Sequence, residues 1–266
     1  MIAHEIDYKI YGEEMQFVEI ELDPQEGVVA ESGSFMMMDD LIKMDTIFGD
    51  GSGQSKDILG KLFSAGKRLL TGESLFMTVF TNTSGLKRKV SFASPFPGKI
   101  IPLDLRQYNG NFICQKDAFL CAAKGVSISI EFSKKLGRGF FGGEGFIMQK
   151  IEGDGMAFLH ASGTIVTKQL KSGEILKVDT GCLVGFSTDV HYDIEFVGGI
   201  TNTVFGGEGM FFANLTGPGT VAIQSLPFSR LADRIIASAP SAGGKRKGEG
   251  SILGDLGDLI DGDNRF

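Results

Sequence analysis

The sequence predicts an all-β body of three internal β-rich repeats, sandwich-like or barrel-like, with an inserted amphipathic helix and a short C-terminal helix. Three observations carry that expectation. Phe141-Gly142-Gly143-Glu144-Gly145 recurs 64 residues later as Phe205-Gly206-Gly207-Glu208-Gly209, and the same offset places Val126, Ile130, Glu131 and Phe132 on Val190, Ile194, Glu195 and Phe196. Short apolar-alternating runs are separated by turn residues, the pattern of half-buried antiparallel strands. The chain has 38 glycines among 266 residues, enough for many tight turns.

The first repeat is more diverged. Leu22, Glu26, Val28, Glu31, Gly33 and Ile42 match Leu170, Glu174, Leu176, Asp179, Gly181 and Val190 at a constant offset of 148. Glu26 to Glu73 spans 47 residues where Glu174 to Glu208 spans 34, so this copy carries 13 extra residues near Gly49 to Leu70. The expected layout is a single body over 1–240, with repeats at about 16–98, 99–161 and 162–227, and a flexible glycine-rich tail over 241–266. Three units sharing one core fit better than three independent domains, because each apolar face needs a neighbour to cover it.

Taken in order, Phe17 to Leu22 places Val18, Ile20 and Leu22 on one face, and Ser127 to Phe132 groups Ile128, Ile130 and Phe132. Turns follow at Asp23-Pro24, Asn109-Gly110, Gly153-Asp154-Gly155, Ser172-Gly173 and Gly217-Pro218-Gly219. Each Gly-Glu corner leads into an apolar strand, at Leu75 to Thr81, Phe146 to Ile151 and Met210 to Leu215. Lys56 to Leu70 sets Ile58, Leu62, Phe63 and Leu69 on one helical stripe with Lys56, Lys61, Lys67 and Arg68 elsewhere, a basic amphipathic helix. Ser229 to Ser238 predicts a second helix, capped by Ser229, with Leu231, Ile235 and Ile236 facing inward.

Composition narrows the function classes. The net charge of −7 disfavours a broad nucleic-acid surface, which needs a basic face to neutralise phosphate. There is no signal-peptide pattern and no apolar run long enough for a spanning helix, so a cytoplasmic protein is expected, with a membrane-peripheral location open through the basic helix. Cys114, Cys121 and Cys182 are too few and scattered for a disulfide framework and read as reduced thiols. His4, His160 and His191 lack metal-ligand spacing, and no nucleophile and base pair accompanies them. No catalytic residue, metal site or cofactor is expected, and the chain reads as non-enzymatic.

Two sets of residues stand out as candidate sites. Glu73, Glu144 and Glu208 recur in every copy. Either they form a ring for a cation or basic partner, or each accepts hydrogen bonds from its own glycine-rich turn; use in every repeat favours the second reading. They do not form a phosphate loop, which would need Lys-Ser/Thr after its last glycine. The second set is Lys56, Lys61, Leu62, Phe63, Lys67 and Arg68, suited to an anionic membrane or a partner, or to closing the end of a sheet. Met36-Met37-Met38 matches Val184-Gly185-Phe186 and reads as packing within a core strand.

The stretches VVAESGSFMMM, AGKRLLTGESLFMTVFTN, SPFPGKIIPLDL, FICQKDAFLCAAKGV, GFFGGEGF and VFGGEGMFFANLTGPGTVAIQSLP resemble the bacterial branch of the altered-inheritance-of-mitochondria, or mitochondrial biogenesis, family, from about Ile6 to Pro227. The resemblance implies a fold like that of the tryptophan RNA-binding attenuation protein, built of internal β repeats and usually a homotrimer. It transfers no RNA binding and no catalytic residue. The expected function is an oligomeric scaffold or binding protein, with a small-molecule or ion binder at the Gly-Glu corners as the alternative. A metal enzyme of cupin type is weaker still, for want of a histidine cluster.

Overall fold

Alternating burial fixes the strands. In Phe17–Leu22, Val18, Ile20 and Leu22 are fully buried while their neighbours are half-exposed. The computed structural model describes residues 3–48, 76–134, 146–197 and 210–238. A strand β1 (Asp7–Tyr11) precedes the first repeat, which holds β2 (Phe17–Leu22), β3 (Gly27–Glu31), β4 (Phe35–Met38), β5 (Ile42–Phe48), β6 (Phe76–Asn82) and β7 (Arg88–Ala93). The second holds β8 (Lys99–Asp104), β9 (Asn111–Gln115), β10 (Phe119–Ala123), β11 (Ser127–Lys134), β12 (Phe146–Glu152) and β13 (Met156–Ala161). The third holds β14 (Ile165–Leu170), β15 (Ile175–Asp179), β16 (Leu183–Ser187), β17 (His191–Val197), β18 (Met210–Thr216) and β19 (Gly219–Gln224).

Within every repeat the pairing follows one plan. In the second repeat β13 pairs with β8, in the third β19 lies between β14 and β16, and in the first β7 lies between β2 and β4; the fifth strand pairs with the fourth in every copy, all antiparallel. The sixth strand thus lies between the first and third, and the fifth between the fourth and second. Each repeat is a small two-sheet sandwich. Consecutive repeats then fuse: the second strand of one pairs with the third strand of the next, β3 with β10 and β9 with β16. This gives two six-stranded sheets, β5-β6-β3-β10-β13-β8 and β11-β12-β9-β16-β19-β14. The outer halves remain as the sheets β1-β2-β7-β4 and β15-β18-β17. The body is a sandwich-like all-β assembly rather than a closed barrel.

Turns repeat down to single hydrogen bonds. The amide of Asn82 donates to the carbonyl of Glu26, that of Gly153 to Gly110, and that of Gly217 to Glu174, at 2.9, 3.0 and 2.9 Å. In the first and third repeats the turn glutamate also accepts from the backbone, Asp23 N–H to Glu26 Oε2 at 2.8 Å and Lys171 N–H to Glu174 Oε2 at 2.9 Å. The second repeat replaces it with Asn109-Gly110, both at positive φ, where glycine relieves the crowding an L side chain would suffer.

The buried apolar residues form two clusters, and the larger draws on all three repeats. One joins Val28, Ala30, Phe80 and Phe92 of the first repeat to Leu120, Phe158 and Leu159 of the second and reaches Val184 and Ala222 of the third. The other joins Ile113, Phe146 and Met148 to Leu183, Phe186 and Leu215. The fused sheets each bring two sandwiches together, so apolar burial follows the junctions. Cys114 and Cys121 are buried thiols outside any disulfide, and burial pushes both up from their ordinary pKa; Cys182 is half-buried.

The C-terminal helix α1 spans Phe228–Ser238. It starts one residue before the expected Ser229, and it contains no buried residue; Ile235 and Ile236, expected to face inward, are exposed. The chain divides into compact units at Met1–Ser229 and Arg230–Phe266.

Candidate functional site

Both candidate sets lie beyond the described parts of the body. Glu73, Glu144 and Glu208 are outside the described residues, as are Lys56, Lys61, Leu62, Phe63, Lys67 and Arg68. Among the described residues no group of three or more His, Cys, Asp or Glu side chains is placed to hold a metal ion. No described helix is long and apolar enough to cross a membrane.

The histidines are separate from one another. His4 accepts a hydrogen bond at Nδ1 from the Gly27 amide at 2.9 Å, and burial lowers its pKa. His160, on β13, is almost wholly enclosed, meets the Phe96 ring edge-on at 4.6 Å, and has no hydrogen-bond partner at either ring nitrogen. Burial pushes its pKa down to about 4, so it stays neutral at physiological pH. His191 is exposed.

A second perturbed group lies at the first junction. Glu31 ends β3, where burial and the neighbouring Asp117 carboxylate push its pKa up to about 8, against a smaller opposing pull from Lys116. Its counterparts in the other repeats are Gln115 and Asp179. A desolvated carboxyl in one copy, an amide in another and a turn-capping carboxylate in the third repeat no common arrangement, which speaks for local structural uses.

What stands out physically is strand β4. Phe35, Met36, Met37 and Met38 are all exposed, between 38% and 49%, and Leu41 and Met44 later in the same repeat are exposed too. Monomeric proteins seldom leave so large an apolar strand open. This corrects the expectation that the methionines pack inside a core strand. Their counterparts in β10 and β16 are buried throughout. The difference has a simple cause: β3 covers β10 and β9 covers β16, whereas β4, among the described residues, pairs with β7 alone.

The opposite end mirrors this. Among the described residues β15, the second strand of the third repeat, pairs only with β18. Its equivalents β3 and β9 are largely buried, but Ile175 and Lys177 of β15 are exposed, Leu176 is half-exposed and only Val178 is buried. The repeat register places β4 and β15 in the correct positions; it carries no mark that, among the described residues, these two strands have one paired neighbour each.

Comparison with known proteins agrees with this architecture. An uncharacterised protein of Streptococcus pyogenes serotype M6 is 30% identical over 237 residues, covering 86% of this chain and 89% of the relative. The crystal structure of another Streptococcus pyogenes protein, solved by structural genomics, superposes with a TM-score of 0.67 at 24% identity, covering 88% of this chain and all of that one. A family model, Mitochondrial biogenesis AIM24, matches residues 8–226, from β1 to just beyond β19, so the three-repeat β body described above is the shared part and the chain belongs to that family.

Proposed function

We propose that this protein is a non-enzymatic, homo-oligomeric scaffold or binding protein. The observation that carries the reading is the exposed apolar strand β4, whose equivalents in the other two repeats are buried by a neighbouring strand. An edge of Phe and Met without lysine or proline to discourage pairing is suited to receiving another strand. A trimer is the expectation that the family resemblance adds. Light scattering behind size exclusion tests this: a single species of multiple chain mass supports it, and a monomer at all concentrations overturns it.

Peripheral membrane contact through Lys56, Lys61, Leu62, Phe63, Lys67 and Arg68 is the finer part of the proposal and rests on the pattern of those residues alone. Flotation with anionic and neutral liposomes checks it. Salt-sensitive binding lost in the Leu62→Asp/Phe63→Asp variant supports a membrane role, and absence of binding makes the segment a structural insertion.

The glutamate-based alternative, with Glu73, Glu144 and Glu208 as ligand groups, gains little from the fold. Glu26 and Glu174 already serve as turn acceptors at 2.8 and 2.9 Å, a precedent for structural use of a repeated carboxylate in this body.

A further inference from the structure

We infer that the apolar face of helix α1 is the docking surface for an acidic segment of the same chain, residues 252–260, which returns antiparallel along it as the second arm of a helical hairpin. The inference goes beyond the oligomeric reading above and does not depend on it, since surface and partner both differ.

The helix presents a face in want of cover. Leu231, Ala232, Ile235 and Ile236 follow the i, i+1, i+4, i+5 spacing of one helical stripe, while Arg230, Asp233 and Arg234 lie on the other side. No residue of α1 is buried; Leu231 and Ala232 are half-exposed, and Ile235 and Ile236 are 61% and 71% exposed. Eleven residues make a marginal helix in water, where most helical stability comes from packing an amphipathic face. The described residues leave that face open, so its partner is sought in the rest of the sequence.

One stretch has the matching pattern. Ile252, Leu253, Leu256, Leu259 and Ile260 recur at i, i+1, i+4, i+7 and i+8, with Asp255 and Asp258 off the stripe. At the rise of an α-helix this stripe runs about 12 Å and that of α1 about 8 Å, so one covers the other end to end. The connection is permissive. Pro240 stands two residues past the end of α1, and the thirteen residues 239–251 include Gly243, Gly244, Gly248 and Gly250. A glycine-rich linker of that length reaches about 20 Å, against the roughly 8–10 Å between packed helix axes. Helix and segment also belong to one compact unit, Arg230–Phe266.

Charge selects this occupant over a lipid surface. Residues 228–250 carry five basic side chains, Arg230, Arg234, Lys245, Arg246 and Lys247, against Asp233 and Glu249, a net charge of +3. Residues 251–266 carry Asp255, Asp258, Asp261 and Asp263 against Arg265, a net charge of −3. An anionic membrane would attract the first stretch and repel the second, which is tethered to it. Docking of the segment neutralises both and removes both apolar stripes from water.

The test uses the full-length protein, which has no tryptophan, so Ile235→Trp sets a single fluorescent reporter on the face. It is compared with Ile235→Trp/Leu256→Asp/Leu259→Asp, whose added substitutions lie outside the β body, and circular dichroism verifies that the body is folded in both. The expected result is acrylamide quenching several-fold weaker in the first chain than in the second, with emission at shorter wavelength. Ile236→Trp, alone and with the same two aspartates, repeats the comparison at the neighbouring position. Equal quenching with and without the aspartates at both positions overturns the inference, whether the reporter is open or shielded. Two further outcomes overturn it by naming another occupant. Shielding restored to the triple variant by an excess of the tryptophan-free parent chain would assign the segment of a second copy. Shielding that arises only on adding phosphatidylserine–phosphatidylcholine vesicles would assign lipid. Light scattering on the same samples reads the oligomeric state separately, so a monomer with a shielded reporter sinks the oligomeric reading alone, and an oligomer with an open reporter sinks the hairpin alone.

Discussion

His160 and Glu31 titrate in opposite senses, and each makes stability depend on pH. His160 is neutral and enclosed in the fold, with a folded pKa of about 4 below its unfolded value of 6.5. Unfolding therefore takes up a proton at acid pH. The stability it supports is complete above pH 6.5 and is lost as pH falls toward 4, by about 3 kcal/mol for the full shift. Urea titrations at pH 7.5 and 4.5 should show that loss shrinking in His160→Gln, which copies the glutamine found at the same position, Gln224, in the third repeat. For Glu31 the folded pKa of about 8 lies above the ordinary 4.5. Its neutral form favours folding at low pH, and that advantage fades as pH rises through 8. Glu31→Gln should accordingly raise stability at pH 8.5 by on the order of 2 kcal/mol and do little at pH 4.5. Asn82 illustrates a satisfied buried amide: its side-chain NH2 donates to the carbonyls of Leu22, Asp23 and Leu86, and its oxygen accepts from Ser84. Asn82→Ala should cost about 2–4 kcal/mol by chemical denaturation, because three carbonyls lose their donor at once.

At the scale of elements, β4 decides the behaviour of the surface. A charge placed on an open strand edge discourages further pairing, so Met37→Lys should leave the far-ultraviolet circular dichroism unchanged and shift the species in size exclusion toward the single chain. Core strands respond differently. Phe158 of β13 is fully buried against Tyr8, at 4.9 Å between ring centroids, and Phe158→Ala should lower stability by about 3–5 kcal/mol in the same urea assay. Much of this level is legible in the residues. The alternation in Phe17 to Leu22 specifies the correct strand and face, and the apolar runs at Phe146 and Met210 mark the strands that leave the corners. The exposure of the methionines is not legible, because composition tells how a side chain packs once covered and says nothing about which copy lacks its cover. The helix Phe228–Ser238 is legible as a helix from its capping region and apolar spacing, but Ile235 and Ile236 are exposed where burial is expected, since a stripe specifies a face and not what lies against it.

For the whole molecule, the offsets of 64 residues and of 148, the latter falling to 135 past the 13-residue insertion, are more informative than any motif. They fix six equivalent strands per repeat, and with them the turn hydrogen bonds from residues 82, 153 and 217 to residues 26, 110 and 174. The way repeats fuse is not legible, because pairing of a second strand with the next third strand leaves no periodic mark in either. Nor can the sequence order its candidate sites: the corners and the basic helix draw attention by charge and recurrence, while the open edge has neither. A further consequence concerns synthesis. Emerging from the ribosome N-terminus first, each repeat can complete its own two sheets and then wait for the following one to shield its second strand. The third strand of the first repeat gains no such shield among the described residues. From the moment that repeat folds, an uncovered row of Phe and Met accompanies the nascent chain, and high expression rates should favour inclusion bodies that Met37→Lys suppresses, measured as the soluble fraction at fixed induction.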